Sequence, residues 1–296
     1  VYELGDMKVG GLPGEHPTLM VGTLFYEDEF TDPREEFDQA TNLINKQNNI
    51  SDELAINSIV DIFIYEEDEI EWKIDFAVKN IDGIFSLDIP DSEVRIKTLR
   101  YLDDIEELDS VIYNSLNLGV TDEELEMLEK AVPKGIIVLG YNPQNNSAQG
   151  RLDIIKDGGN LLEEGLLEIA KRIGVEYAFL DTAATPFGEG ASETLRSVPV
   201  FKSEFGLPVG CAMHNTIEAW KWLNNNREKN RLSPILDTSI DSLPVLLGAD
   251  FIYYGPIENA VYELTNIAMV DKLVAEGAEE YFGTKIDEKH PHHKLR

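Results

Sequence analysis

Short apolar runs in this chain repeatedly end in a carboxylate or a carboxamide. Phe179-Leu-Asp181 does so just ahead of a turn-rich stretch holding Pro186, Gly188 and Gly190. The design recurs in Ile59-Val-Asp61, Phe85-Ser-Leu-Asp88, Val111-Ile-Tyr-Asn114, Val138-Leu-Gly-Tyr-Asn142 and Gly210-Cys-Ala-Met-His-Asn215. A buried parallel strand delivers one polar side chain to the mouth of an α/β fold in this way. Asp61, Asp88, Asn114, Asn142, Asp181, His214 and Asn215, with Tyr26 and Tyr254, are therefore the expected lining of one site.

Acids alternating with amides suit a flat heterocycle whose edge alternates donors and acceptors. A carboxylate accepts from a ring N–H and an adjacent amino group, and a carboxamide supplies one donor and one acceptor. A pterin presents such an edge. Three acids held together repel, so one is expected to carry a proton or to pair with a ligand donor. The same acids leave a retaining glycosidase open, which needs two carboxyls about 5 Å apart. A zinc hydrolase is disfavoured because His214 is the only histidine at a strand end, and the absence of Lys or Arg at strand ends disfavours a sugar phosphate. Each Asp has a plainer reading as a helix cap. Asn142 precedes Pro143 and is equally a turn residue, Cys211 reads as packing, and Trp220 and Trp222 read as core and rim.

Eight strands must position these groups: 18–26, 56–64, 83–88, 109–117, 135–142, 177–181, 207–215 and 249–254. Helical spacing of apolar residues falls between them, at 34–48 after Asp32-Pro33, 67–79, 92–101, 121–131, 161–173, 192–205, 216–223, 240–247 and 258–276. Asp91 or Ser92 is the expected cap of the third helix, and Thr121 with Glu124 the expected capping box of the fourth. Residues 143–159, polar and containing Arg151, read as a loop over the mouth, and 224–231 as a solvated excursion. Val1 to Val9 reads as a hairpin around Gly5-Asp6. The glycines of Gly10-Gly-Leu-Pro-Gly precede a strand and have turn spacing, not that of a dinucleotide fingerprint. Strand and helix alternating eight times specify a closed (β/α)8 barrel. A single domain over 1–296 is expected, with the hairpin and turn at 1–17 and a surface arm at 281–296 whose His290, His292 and His293 are solvated.

The 296 residues include 56 Asp and Glu against 25 Lys and Arg, for a formal net charge of −31. Phosphate-backbone binding needs a basic face, so nucleic acid is not an expected partner. The acids are spread over nearly every predicted helix and not collected in a tail, which favours solubility in concentrated salt, where self-repulsion is screened, over compositional drift or docking to a basic partner. No apolar run approaches the roughly 20 residues that span a bilayer, so no direct membrane insertion is expected. With Cys211 the only cysteine, a disulfide framework is excluded, and a reducing cytoplasm is the expected compartment.

Val9-Gly-Gly-Leu-Pro-Gly-Glu-His-Pro-Thr18, Ile112-Tyr-Asn-Ser115, Gly150-Arg-Leu152, Leu180-Asp-Thr-Ala183, Phe205-Gly-Leu-Pro-Val-Gly-Cys211 and His214-Asn215 closely resemble the H-subunit family of tetrahydromethanopterin S-methyltransferases, in order from about residue 1 to 285. The resemblance implies a pterin-binding, dihydropteroate-synthase-like TIM barrel. It implies methyl transfer between N5 of a tetrahydropterin, tetrahydromethanopterin or tetrahydrofolate, and the cobalt of a cobalamin-type corrinoid carried by a separate protein. It further implies that Asp88, Asn114 and Asp181 hold the pterin ring, Asp61 and Asn142 supporting them. By the same resemblance Asn215 would lie beside N5 and be catalytic together with Asp181, and the chain itself would need no metal. The implied partners are the corrinoid protein, a membrane-bound sodium-translocating complex behind it and a second copy in a homodimer. A solitary enzyme fed by a methylamine- or betaine-loaded corrinoid protein, and a non-catalytic docking protein, are the alternatives. Ile89-Pro90 after Asp88 departs from the family pattern, where small hydroxyl residues are more usual.

Overall fold

The hairpin at the N-terminus is present as β1 (Tyr2–Leu4) and β2 (Met7–Val9), antiparallel around Gly5-Asp6. The computed structural model describes residues 1–26 and 33–295. Eight parallel strands follow: β3 (Leu19–Leu24), β4 (Asn57–Phe63), β5 (Phe85–Asp88), β6 (Val111–Leu116), β7 (Gly135–Leu139), β8 (Tyr177–Asp181), β9 (Val209–Cys211) and β10 (Phe251–Pro256). They close in sequence order, with β10 pairing both β9 and β3. The helices α1 (Pro33–Leu54), α2 (Ile70–Asn80), α3 (Ser92–Asp104), α4 (Asp122–Lys130), α5 (Ala148–Lys156), α6 (Leu166–Ile173), α7 (Ala191–Phe205), α8 (His214–Glu218), α9 (Lys221–Asn224), α10 (Lys229–Leu246), α11 (Ala260–Phe282) and α12 (Pro291–Lys294) complete the chain.

Every second strand residue points into the barrel. Ile59, Ile112 and Phe179 fill its lower interior, and two positions further along their strands stand Asp61, Asn114 and Asp181. From below, Leu4 and Val9 of the hairpin pack against Leu19 and Phe251, and the Tyr2 ring lies 4.8 Å from Tyr177 and 5.3 Å from Phe179. Burying each such side chain contributes about 1.5–3 kcal/mol. The lumen floor is thus apolar and closed, and the polar groups sit at the strands' C-terminal ends.

Four expectations need correction. Residues 143–159 contain a helix, α5, because Ser147 caps it by accepting from Gly150 N, and its apolar residues Leu152, Ile154 and Ile155 are buried. Residues 229–239 are helical as well. Pro234 and Pro244, which argue for breaks, are accommodated inside α10, whose inner face is held against α11. The Thr121 hydroxyl caps α4 from Glu124 N (3.2 Å), but Glu124 does not close the box. Its carboxylate is buried and taken instead by Arg95 (3.1 Å), Ser92 (2.6 Å) and Tyr113.

The last correction concerns the C-terminal arm, which is clamped rather than solvated. Asp287 accepts from His16 Nδ1 and Lys8 Nζ, both at 3.1 Å, Lys289 reaches Asp6 at 2.8 Å, and Ile286 and His290 are buried. Burial and the neighbouring histidines push His290 down to about 4, so it is neutral at physiological pH.

Candidate functional site

Strand register places Asp61 beside Thr23 and Ser86, and Asp88 beside Asn114. Thr23 Oγ1 donates to Asp61 Oδ2 (3.2 Å), and the Ser86 hydroxyl shares a 2.8 Å hydrogen bond with Tyr253. Burial raises the Asp61 pKa, with the Ser86, Thr23 and Asn114 side chains opposing the rise, and Oδ1 is buried without a well-formed hydrogen bond. Asp88 keeps some surface toward the mouth. Protein crowding around its carboxyl nonetheless raises its pKa, helped by the charge of Asp61 and opposed by Arg95. Two acids this close in a desolvated lumen cannot both ionise cheaply, so near neutral pH the pair holds a proton and offers one donor beside its acceptors.

Asp181 ends β8 on the far side of the same lumen. The Ala183 N–H donates to its Oδ1 at 2.6 Å, and burial pushes its pKa up to about 6 against the pull of that N–H and of Arg151. Arg151, on α5, is wholly buried and directs its guanidinium into the loop after β8. Nη1 donates to the carbonyls of Thr182 and Ala183 at 2.6 Å and to Thr194 Oγ1 at 2.8 Å. Nη2 donates to Asn146 Oδ1 at 2.6 Å, Thr185 Oγ1 at 3.3 Å and the Gly190 carbonyl at 3.2 Å. Ala183 has φ 61°, a left-handed conformation that costs a non-glycine residue on the order of 1 kcal/mol. Arg151 therefore fixes the strained turn on which the Asp181 carboxylate rests.

His214 and Asn215 lie not on β9 but in the first turn of α8, so the expected long seventh strand is corrected to a short strand and a helical turn. His214 is buried, which lowers its pKa against the opposing Glu218 charge, and its neutral ring donates from Nδ1 to the Tyr253 carbonyl at 2.8 Å. The ring needs Gly255: at φ +80°, a Cβ there would meet His214 Cδ2 at 2.8 Å. Asn215 is exposed, and its amide makes no side-chain hydrogen bond among the described residues.

Two expected members are employed elsewhere. Asn142 lies three residues beyond β7. Its Nδ2 donates to the Gly150 carbonyl (3.0 Å), and its Oδ1 accepts from Gln144 N and Asn145 N, both at 3.0 Å. It builds its own loop, as a residue before Pro143 is suited to do. Tyr254 faces outward and is bonded to Gln47, while Tyr253, not singled out from the sequence, faces the lumen. Phe251-Ile-Tyr-Tyr254 is apolar throughout, so alternation could not show which tyrosine points in. Tyr26 stands at the rim and donates to Glu218 Oε2 at 3.1 Å.

A second acidic group lies behind β10, outside the lumen: Asp237 and Asp241 of α10 and Glu263 of α11. Thr238 Oγ1 donates to Glu263 Oε1 (3.0 Å), but four carboxyl oxygens of the trio have no partner. Burial raises all three pKa values, and the mutual charges of Glu263 and Asp237 add to that of Asp241. Asp237 reaches about 7, by burial and then the Glu218 charge. A native carboxyl that holds its proton more tightly than the unfolded chain stabilises at low pH, and that stability is lost as pH rises to its folded value. The melting temperature of the protein is thus expected to fall between pH 5 and pH 8. Asp237→Asn should flatten that fall, by removing about 1–3 kcal/mol of the unfolding free energy lost over this range. Parallel melting curves for the two proteins would refute this reading of the trio.

Comparison with known proteins places the chain among named relatives. The sequence model described as "Tetrahydromethanopterin S-methyltransferase MtrH subunit" matches residues 1–286. The tetrahydromethanopterin S-methyltransferase H-subunit of Methanothermobacter marburgensis is 35% identical over 302 residues, covering 100% of this chain and 97% of the relative. The H-subunit of the putative methyltransferase mtx of Methanosarcina acetivorans is 37% identical over 286 residues, covering 95% and 92%. Among solved structures, 7,8-dihydropteroate synthase from Vibrio fischeri superposes with a TM-score of 0.62 at 18% identity, over 88% of this chain and 93% of that one. Dihydropteroate synthase from Yersinia pestis gives 0.60 at 15%, over 87% and 92%. At such identities the two structures speak for the fold alone.

Proposed function

The chain belongs to the H-subunit family of tetrahydromethanopterin S-methyltransferases and is a methyltransferase, and we propose that its lumen holds a 5-methyl-tetrahydropterin whose methyl group passes to or from the cobalt of a corrinoid carried by a partner protein. One set of observations carries this reading: Asp61, Asp88 and Asn114 share the inward face of neighbouring strands at their C-terminal ends, Asp61 Oδ1 is buried without a hydrogen bond, and the floor beneath is apolar. A heterocycle with several adjacent donors and acceptors satisfies such a set. An apolar ligand would leave it unpaired at about 1–3 kcal/mol per group.

Asp181, across the lumen, accepts from the ring N–H and the exocyclic amino group, and Asn114 and the protonated Asp61/Asp88 pair meet the remaining edge. The methyl leaves N5 for cobalt(I), a strong nucleophile. The N5–CH3 bond breaks, a cobalt–carbon bond forms, and N5 takes one proton. Asn215, at the rim, bonds N5 through either end of its amide and so follows it between its methylated and protonated forms. The mouth, framed by α8 and the loop after β8, leaves N5 open to the incoming cobalt.

The function is tested by mixing the protein with 5-methyl-tetrahydromethanopterin and free cob(I)alamin and following the cobalamin spectrum. Methylation of cobalamin is expected, and binding of the pterin with an affinity that falls as pH drops below about 6, where Asp181 takes a proton. Asp181→Asn should bind more weakly at pH 7 and lose that pH dependence. Failure of the wild type to bind either methyl-pterin would end this reading.

The outer face of α10 and α11 supports a second element of the function, association of two copies. Ile235, Leu246, Tyr262, Met269 and Leu273 are exposed there, and the two acids within α10 are buried, so this face is almost free of the charge that covers the rest. Two bodies of formal charge −31 approach most cheaply through such a face. No helix among the described residues is long and apolar enough to cross a membrane, so within any membrane-bound complex the chain would sit as a peripheral component.

A further inference from the structure

Phe187, in the loop that follows Asp181, is 49% exposed, and Trp222, just past the helix that carries Asn215, is 54% exposed. Trp220 joins them, its ring 5.3 Å from Phe187 at 71° and 5.0 Å from Trp222 at 33°. The shelf they form belongs to the mouth, because one side continues the strand of Asp181 and the other the helix of Asn215. It is also braced: Thr216 Oγ1 donates to the Thr185 carbonyl at 2.9 Å, tying α8 to the loop, and Arg151 holds the same loop at Thr185 Oγ1 and the Gly190 carbonyl. Leu223 is buried and anchors α9. Exposed aromatic surface held this firmly at the edge of a polar cup is a surface prepared for a ring.

A second observation points the same way. From Lys221 to Arg231 the chain carries Lys221, Arg227, Lys229 and Arg231 against one acid, Glu228, although the whole protein has a formal net charge of −31. Arg231 has Glu228 at 3.8 Å, whereas Lys221, Arg227 and Lys229 have no ion-pair partner among the described residues. Helices of a (β/α)8 barrel run back from the mouth, so Lys229, at the start of α10, lies at the mouth end. Free bases next to exposed rings fit an anion that continues from an aromatic group.

We propose that the shelf and these bases form a second subsite, which takes the tail of the pterin substrate. This rests on the pterin reading of the lumen. Tetrahydromethanopterin and tetrahydrofolate both carry, beside N5, an arm with an arylamine followed by a chain ending in carboxylates or phosphate. With the ring in the lumen and N5 at Asn215, the arm leaves over α8. Its aryl ring stacks on Phe187 and Trp222, and its anionic end pairs with Lys221, Arg227 and Lys229. The lumen then reads the pterin, and the rim reads what is attached to it.

Equilibrium titration of the whole protein tests this with three ligands: 5-methyl-tetrahydromethanopterin, 5-methyl-tetrahydrofolate and the tail-less 5,6-dimethyl-tetrahydropterin. The tailed ligands are expected to bind wild type about 10- to 100-fold more tightly than the tail-less one. Trp222→Ala, and separately Lys221→Gln with Arg227→Gln, should each cut that advantage at least about fivefold and leave the tail-less affinity unchanged. Raising salt from 0.1 M to 1 M should shrink the advantage in wild type and Trp222→Ala, and shrink it less in the Lys/Arg double variant, which keeps Lys229 alone. The subsite is overturned if the tail-less pterin binds as well as the tailed ones, if the variants keep the full advantage, or if they weaken all three ligands equally. It is also overturned if they slow transfer to a corrinoid protein while tail discrimination stays intact, for the shelf then docks that protein. If no pterin binds wild type at all, the reading of the lumen fails first and takes this one with it.

Discussion

Asn215→Ala is expected to slow single-turnover methyl transfer by about 10²–10³-fold while pterin affinity changes by less than about threefold. Asn215 is exposed and makes no side-chain hydrogen bond among the described residues, so its removal costs the fold little and uncovers no buried group. The ring is held by the groups within the lumen, which the substitution leaves alone. What is lost is the amide that stays bonded to N5 as its methyl is replaced by a proton, an interaction that strengthens along the reaction. Such a loss appears in turnover and not in the binding constant. Asn215→Asp should recover part of the rate at a pH where the new carboxyl is protonated. Stopped-flow absorbance of cobalamin gives the rate and calorimetry the affinity; parallel losses in both would make Asn215 a binding residue and remove it from the chemistry.

Arg151→Met is expected to be the most damaging single change away from the lumen, at about 3–5 kcal/mol of stability, because it leaves several buried acceptors without a donor. Those acceptors include the carbonyls of Thr182 and Ala183 and the Asn146 and Thr185 side chains. The Ala183 turn, held at positive φ, relaxes without them and takes with it the N–H that bonds Asp181. Pterin affinity should therefore fall as well, by about tenfold. Chemical denaturation and pterin titration check the two halves. Arg151→Lys, which keeps the charge but not the planar fork, should rescue only a minor part of either. A stable Arg151→Met protein with unchanged affinity would show that the loop after β8 needs no such brace.

The order of elements was legible because each strand is a short apolar run with a polar terminus and each helix carries its own periodic face. The Tyr177–Asp181 strand coincides with its expected bounds, and α7 ends at Gly206, which takes the left-handed conformation, as read. Legibility failed where tertiary contacts outweighed local preference. Glu124 has the sequence of a capping-box residue but lies next to Arg95, and the stronger partner took it. Residues 143–159 look like loop because Asn, Gln and Ser favour turns, yet Arg151 needs a helix to aim it.

The site was partly readable for the same reason. Asp61, Asp88, Asn114 and Asp181 stand at the C-terminal part of their strands as expected, because each closes a short apolar run that the barrel buries. Asn142 was misplaced because a polar residue shortly after a strand can turn back into its own loop, and nothing in Gly140-Tyr-Asn-Pro143 distinguishes the two uses. Tyr253 and Arg151 escaped because their roles depend on contacts between segments far apart in sequence.

A crystal structure of the protein soaked with 5-methyl-tetrahydromethanopterin tests the central claim most directly. The pterin is expected within the lumen with its N–H and amino group on the Asp181 carboxylate, its opposite edge within hydrogen-bonding distance of Asn114 and the Asp61/Asp88 pair, and N5 facing Asn215 at the rim. A pterin bound outside the barrel, or one in the lumen that leaves Asp181 and Asn114 untouched, would contradict it.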